Sequence, residues 1–179
     1  HVNHQYFIPY NSNPVWSNDF GGVHTNLGIP NKILYLVIAG DTHYGIDVAA
    51  LDADLDVSRI IASNIWFSWN AYYLDAEDDF EIAREKMLLA CYDLYPNNSG
   101  YYQTVANAWA STGIGNEFTL GDTNGNGVLN IQDIILIIQF ILGNYELSEF
   151  QFFTVDMNSD QTIDLFDVIQ VVNDLLNGI

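Results

Sequence analysis

Two stretches of this chain repeat one another closely enough to dictate how its last third is built. GDTNGNGVLNIQDIILIIQFILG starts at Gly121, and DMNSDQTIDLFDVIQVVNDLLNG starts at Asp156. Their first aspartates, Asp122 and Asp156, stand 34 residues apart. Each Asp/Asn-rich stretch runs straight into apolar residues at helical spacing. Solenoids share repeats of this length, but two copies are too few for one. The repeat therefore reads as a paired loop–helix module.

Side-chain oxygens recur in each loop at the spacing a hard cation needs. Calcium takes six to eight oxygen ligands, and a twelve-residue loop offers them at positions 1, 3, 5, 7, 9 and 12. In loop 1 these are Asp122, Asn124, Asn126, Val128 through its carbonyl, Asn130 and Asp133. In loop 2 they are Asp156, Asn158, Asp160, Thr162 through its carbonyl, Asp164 and Asp167. A single stretch of this kind is also compatible with a metal-free Asx-rich turn. Two aligned copies, each leading into an apolar helix, favour two calcium ions.

The loops are unequal. Loop 1 has Gly127 at its sharp turn where loop 2 has Gln161, a difference of roughly 1–2 kcal/mol if that backbone is left-handed. Loop 2 has four carboxylates against two in loop 1, and each additional one facing a divalent ion contributes several kcal/mol less mutual repulsion. Loop 2 is therefore expected to bind more tightly. Position 8 is Leu129 or Ile163, able to link the loops through a short β-type contact.

Charge excludes other functions. The formal net charge is −19, and the only basic residues are Lys32, Arg59, Arg84 and Lys86. Residues 116–179 carry ten acids and no base, so neutralising a phosphate backbone is out of reach and nucleic acid is not a partner. With 49% hydrophobic residues the chain can build a core. Ile134 to Leu142, the longest apolar run, is interrupted by Gln139 and too short to span a bilayer. Cys91 sits on a helix face and reads as a buried structural thiol.

The first module reads as mainly helical. Residues 1–30 are rich in Asn, Gly, Pro and aromatics and are expected to form loop, with a helix disfavoured before Pro30. Helices are expected from Asn31 to a stop at Gly40, over Asp56–Asn70, over Asp78–Tyr95 and over Tyr101–Ser111. The segment DTHYGID reads as a turn.

Asp19-Phe20-Gly21-Gly22-Val23-His24-Thr25-Asn26-Leu27-Gly28-Ile29-Pro30-Asn31-Lys32 resembles the C-terminal helical domain of thermolysin-like zinc metallopeptidases. The pattern there is D-x-G-G-V-H-x-N-S-G-I-x-N-K, so Leu27 departs from it. Gly40-Asp41-Thr42-His43-Tyr44-Gly45, Tyr72-Tyr73-Leu74, Ala83-Arg84 and Asp93-Leu94-Tyr95 extend the resemblance over about residues 4–115. It implies that His24 donates to the oxyanion formed in peptide hydrolysis. Asp19 then holds the other ring nitrogen, with Gly21 and Gly22 allowing the tight turn. Without that surrounding match, an Asp and a His at this spacing read as a surface hydrogen bond.

The Asp at position 12 of both loops, and the loop–helix order with no helix ahead of each loop, resemble a type I dockerin over residues 121–179. That resemblance implies docking onto a cohesin domain of a scaffold or cell surface. Loop positions 10 and 11 usually decide partner choice. Here they are Ile131-Gln132 and Leu165-Phe166, apolar where many such modules have hydroxyl residues. Ile131, Leu165 and Phe166 could equally pack inside the module or against the first domain.

The expected architecture is mainly α: a bundle-like peptidase C-terminal domain over 1–115, a linker over 116–120, and a dockerin-like pair of EF-hand-like calcium repeats over 121–179. No H-E-x-x-H occurs in the chain, and in the resembling family that motif supplies the zinc ligands and the general base. His1 and His4 have no evident acidic third ligand and read as solvated or hydrogen-bonding, and His43 as structural. The chain is thus expected to be the C-terminal part of a longer secreted zinc metalloendopeptidase acting on peptide or protein substrates. It is expected to be inactive alone, with zinc only in the full-length enzyme. The alternative is a non-catalytic calcium-dependent interaction module with a degenerate helical domain. A third reading has the calcium module buttress the peptidase domain intramolecularly. Weak calcium sites stay filled only outside the cell, so an extracellular location is expected.

Overall fold

The computed structural model describes residues 15–158 and 160–177. The expectations for His1 and His4 lie outside the described residues. The chain divides into two compact units, His1–Glu117 and Phe118–Ile179, and helix predominates in both.

In the first unit a single 3₁₀ turn, Trp16–Asn18, leads into a one-turn helix α1, Asp19–Gly22. Helix α2 covers Gly28–Ala39 and buries Ile29, Ile33, Leu36 and Val37, the i, i+4, i+7, i+8 face of a helix. It therefore starts before Pro30, against expectation. Proline is tolerated there because an N–H of the first turn has no intrahelical acceptor. Gly40 ends the helix as expected, at φ +67, and a Cβ there would meet Ala50 N at 2.9 Å.

The segment read as a turn is a small β-hairpin. Strand β1, Asp41–His43, pairs antiparallel with β2, Ile46–Val48, in the register Thr42↔Asp47. Tyr44 and Gly45 both have positive φ, +49 and +86, the backbone a two-residue hairpin requires.

Side chains cap the next three helices. Asp54 accepts from Asp56 N–H at the start of α3, Leu55–Ser68. Asp79 accepts from Ile82 N–H at 2.9 Å to open α4, Phe80–Leu94. Asn98 accepts from Tyr101 N–H at 3.1 Å to open α5, Ser99–Ser111. Each cap satisfies an N–H the helix leaves unpaired, worth about 1 kcal/mol. A π-helical turn, Trp69–Tyr73, continues α3. It buries Trp69, whose Nε1–H donates to the Ala83 carbonyl at 2.8 Å. The core centres on fully buried Trp109, set edge-on to Trp69 at 6.1 Å, with its Nε1–H 3.1 Å from Met87 Sδ. Cys91 is buried here, which pushes its thiol up to about 12 and leaves it an inert packing group. His43 Nδ1–H donates to the Ser111 carbonyl at 3.0 Å, tying the hairpin to the end of α5.

The second unit holds loop 1, helix α6 (Ile131–Ile141), helix α7 (Glu149–Val155), loop 2 and helix α8 (Leu165–Asn177). Its core comprises Ile134, Ile137, Val155, Ile163, Val168 and Val171, with Leu129, Phe140 and Phe152 packed against it. Helix α7 corrects the expectation of no helix ahead of each loop. It ends at Val155, immediately before Asp156, and opens on a reciprocal cap between Ser148 and Gln151. Leu129 and Ile163 meet the core through their side chains; among the described residues no backbone bond pairs them. Ile131, Leu165 and Phe166 do not pack inside the module: they are 60%, 66% and 66% exposed.

Candidate metal loops and the Asp19–His24 pair

Loop geometry follows from short polar side chains closing onto backbone N–H groups ahead of them. Asp122 opens loop 1, with Oδ1 accepting from Asn126 N–H at 3.2 Å and Oδ2 from Gly127 N–H at 2.7 Å. Asn124 Oδ1 accepts from Asn126 N–H and Asn126 Oδ1 from Val128 N–H. Asp133, in the first turn of α6, reaches back to the N–H groups of Asn124 at 3.2 Å and Asn130 at 2.9 Å. Asn130 caps α6 through Gln132 N–H and donates from Nδ2 to the Val128 carbonyl at 2.9 Å.

Loop 2 repeats most of this network. Asp156 accepts from Asp160 and Gln161 N–H at 3.1 and 2.9 Å. Asn158 Oδ1 accepts from Asp160 N–H and Asp160 Oδ1 from Thr162 N–H. Asp167 accepts from Met157 N–H at 2.9 Å and Asp164 N–H at 2.8 Å, while Asp164 caps α8 through Phe166 N–H at 2.7 Å. Gly127 and Gln161 both sit in left-handed backbone, φ +80 and +66, so Gln161 carries the steric cost that glycine avoids.

Burial is what makes these loops chemically unusual. Asp133 and Asp167 are fully buried and Asp122 nearly so, yet no Lys, Arg or His follows residue 86. A buried carboxylate without a cationic partner costs several kcal/mol, only partly offset by backbone donors. Burial pushes the Asp156 carboxyl above its ordinary range, with the negative charges of Asp167 and Asp160 adding and the Gln161 and Asp160 N–H bonds opposing. A hard divalent cation relieves these conflicts, and the oxygen-only donor set suits one. Among the described residues no three His, Cys, Asp or Glu side chains form a ready-made metal cluster. The loops instead mix carboxylates with Asn amides and backbone carbonyls.

In the first unit the turn after α1 folds the chain back on Asp19. Gly22 (φ +88) lets Asn26 N–H reach the Gly22 carbonyl at 2.7 Å. Asp19 Oδ1 then accepts from His24 Nδ1–H at 2.6 Å. Its Oδ2 takes three further donors: His24 N–H at 3.0 Å, Thr25 N–H at 2.7 Å and Thr25 Oγ1–H at 2.9 Å. The His24 bond above all, then those from Thr25, lower the Asp19 carboxyl to about 2. Asp19 therefore stays ionised, fixes the His24 tautomer and leaves Nε2 of a well-exposed ring facing outward. Thr25 occupies a variable position of the motif, so its side-chain hold on Asp19 had no sequence signal beyond a hydroxyl six residues on.

The chain is thus a helical unit carrying an Asp-held histidine, joined to a unit of paired acidic loop–helix repeats. Comparison with known proteins makes this specific. Residues 2–114 match the thermolysin metallopeptidase, alpha-helical domain, and residues 120–176 match the dockerin type I domain. The chain belongs to the thermolysin metallopeptidase family and carries a dockerin module behind its helical domain. Similar proteins include a bacillolysin of Brevibacillus brevis, 34% identical over 105 residues, which cover 59% of this chain and 19% of that protein. Neutral protease B of Bacillus subtilis (strain 168) is 30% identical and a thermolysin of Alicyclobacillus acidocaldarius subsp. acidocaldarius 32% identical, each over 59% of this chain and 18% of the relative. The chain thus spans about a fifth of the length of these curated relatives.

Proposed function

We propose that this chain is the C-terminal portion of a secreted zinc metalloendopeptidase, attached through its calcium-loaded dockerin module to a cohesin-bearing scaffold or surface. The observation carrying the calcium assignment is the set of buried carboxylates, Asp122, Asp133 and Asp167, in a unit with no basic residue. Asp122, Asn124, Asn126, the Val128 carbonyl, Asn130 and Asp133 hold one ion. Asp156, Asn158, Asp160, the Thr162 carbonyl, Asp164 and Asp167 hold the other. Calcium, when bound, supplies the positive charge that neutralises these acids and fixes each loop against its helix. The Val128 carbonyl, which accepts from Asn130 Nδ2 at 2.9 Å, has a second lone pair to offer the ion.

Within the peptidase, His24 is the group that meets substrate, and Asp19 is its positioning residue. With Nδ1 committed to Asp19, Nε2 is the ring nitrogen left to meet an oxygen that gains negative charge as the peptide carbonyl is attacked. The chain has no H-E-x-x-H, and among the described residues no three His, Cys, Asp or Glu side chains group to hold a zinc ion. Zinc and the general base belong to sequence outside this chain, which alone does not hydrolyse peptides. Among the described residues no helix is long and apolar enough to cross a membrane.

Docking is supported by exposed apolar residues at equivalent positions of α6 and α8: Ile131 and Ile135 on one, Leu165 and Ile169 on the other. A pull-down of the chain with cohesin domains tests this directly. Capture in calcium that is lost in chelator is the expected result, and calcium-independent behaviour would remove the proposal. A zinc and casein-hydrolysis assay on the same chain tests its inactivity, which turnover would refute.

A further inference from the structure

Loop 1 carries two Asn-Gly pairs, Asn124-Gly125 and Asn126-Gly127, where loop 2 has Asn158-Ser159 and Asp160-Gln161. An asparagine followed by glycine is the arrangement in which the next backbone nitrogen most easily reaches the side-chain amide carbon, because no Cβ obstructs it. The two pairs differ in how that nitrogen is held. Gly127 N–H donates to the Asp122 carboxylate at 2.7 Å, a charge-assisted bond that resists release. Gly125 N–H donates to the Asp122 carbonyl at 3.4 Å, a long turn bond. Gly125 also has φ +70, with nothing within 4 Å of where a Cβ would stand, and the Asn124 side chain beside it is exposed.

We propose that Asn124 is a calcium-gated site of spontaneous deamidation, converting a loop 1 ligand to aspartate or isoaspartate. The gating rests on the calcium reading of loop 1. The Gly125 nitrogen gives its proton to solvent base and attacks Cγ of Asn124. The new N–Cγ bond closes a five-membered succinimide, and the Cγ–Nδ2 bond breaks. The amide nitrogen takes up protons from water and leaves as ammonia. Water then opens either ring carbonyl. One product is aspartate, which gives loop 1 more of the charge of loop 2. The other is isoaspartate, which routes the main chain through Cβ and displaces Asn126 from its register with Asp122. Bound calcium engages Asn124 Oδ1 and holds the loop backbone, so the metal-free population reacts. At free calcium about 100-fold above the dissociation constant, that population and the rate fall about 100-fold.

The test is to age the full chain at mildly alkaline pH in chelator or in saturating calcium, mapping each asparagine by mass spectrometry. Calorimetry on the same samples reads calcium occupancy independently. Asn177-Gly178, outside both loops, serves as a clock in both arms. Asn124 is expected to deamidate ahead of Asn126 and Asn158 in chelator and about 100-fold more slowly in calcium. Aged chelator samples rich in isoaspartate are expected to lose one of two calorimetric sites. The proposal is overturned if Asn124 is no faster than Asn158 in chelator, or if protein shown to be calcium-loaded reacts at the chelator rate. Equal rates without any calorimetric binding would instead overturn the calcium reading on which the gating rests.

Discussion

Asp19 adopts φ +56, a left-handed backbone costly for most L-residues and tolerated best by Asp and Asn. The four donors gathered on its carboxylate hold it there. Because its carboxyl is lowered from 3.8 to about 2, the sign of the linkage is fixed. Its contribution is present above the unfolded value and is lost as pH falls from about 4 through about 2. An NMR titration of the Asp19 carboxyl is expected to show that midpoint. Thr25→Val, which removes the Oγ1 donor and keeps the backbone one, raises it, and Thr25→Ser restores it. At Gln161 the opposite logic applies. Gln161→Gly removes a Cβ from left-handed backbone and stabilises loop 2 by about 1 kcal/mol after the entropy glycine adds to the unfolded chain, read as a higher denaturant midpoint in calcium. The Asp19–His24 contact was legible from the motif; the Thr25 bonds were not, since they depend on how the turn at Gly22 rotates the following residues.

Among the elements, those missed in the sequence were short or locally ambiguous. Helix α2 begins at Gly28 because proline in a first turn lacks only an N–H that had no intrahelical acceptor. The hairpin escaped notice because three-residue strands show little alternation, and its turn uses Tyr44 where Asn or Asp would signal it. Helix α7 did announce itself, in the Ser148-x-x-Gln151 box, but seven residues between two longer repeats are easily read as spacer. The long helices, with Asp or Asn caps and apolar faces, were readable because cap and periodicity are local. For the loop–helix elements, loop 2 with four carboxylates is expected to be the tighter site despite Gln161. Calorimetry of Asp122→Ala and Asp156→Ala checks this: the second substitution removes the tighter isotherm and the first the weaker.

At the scale of the molecule, two units with separate cores respond differently to calcium. Chelator is expected to lower the melting temperature of the second unit and leave the transition of the first in place. A binder of the folded state stabilises by about 2.7 kcal/mol at 100-fold its dissociation constant. Differential scanning calorimetry with and without calcium resolves the two. Trp109→Ala is expected to cost the first unit about 3–5 kcal/mol and leave the second transition unmoved, since it empties the centre of one core alone. By itself the sequence determined the acidic loop spacing, the apolar helix faces, the absence of H-E-x-x-H and the Asp19–His24 motif, all relations among residues near one another in the chain. Tertiary structure decided that Asp133 and Asp167 lie fully buried, that Thr25 braces Asp19, and that Ile131, Leu165 and Phe166 stay exposed. Burial and exposure are sums over neighbours brought from distant parts of the chain, and spacing along the chain does not contain that sum.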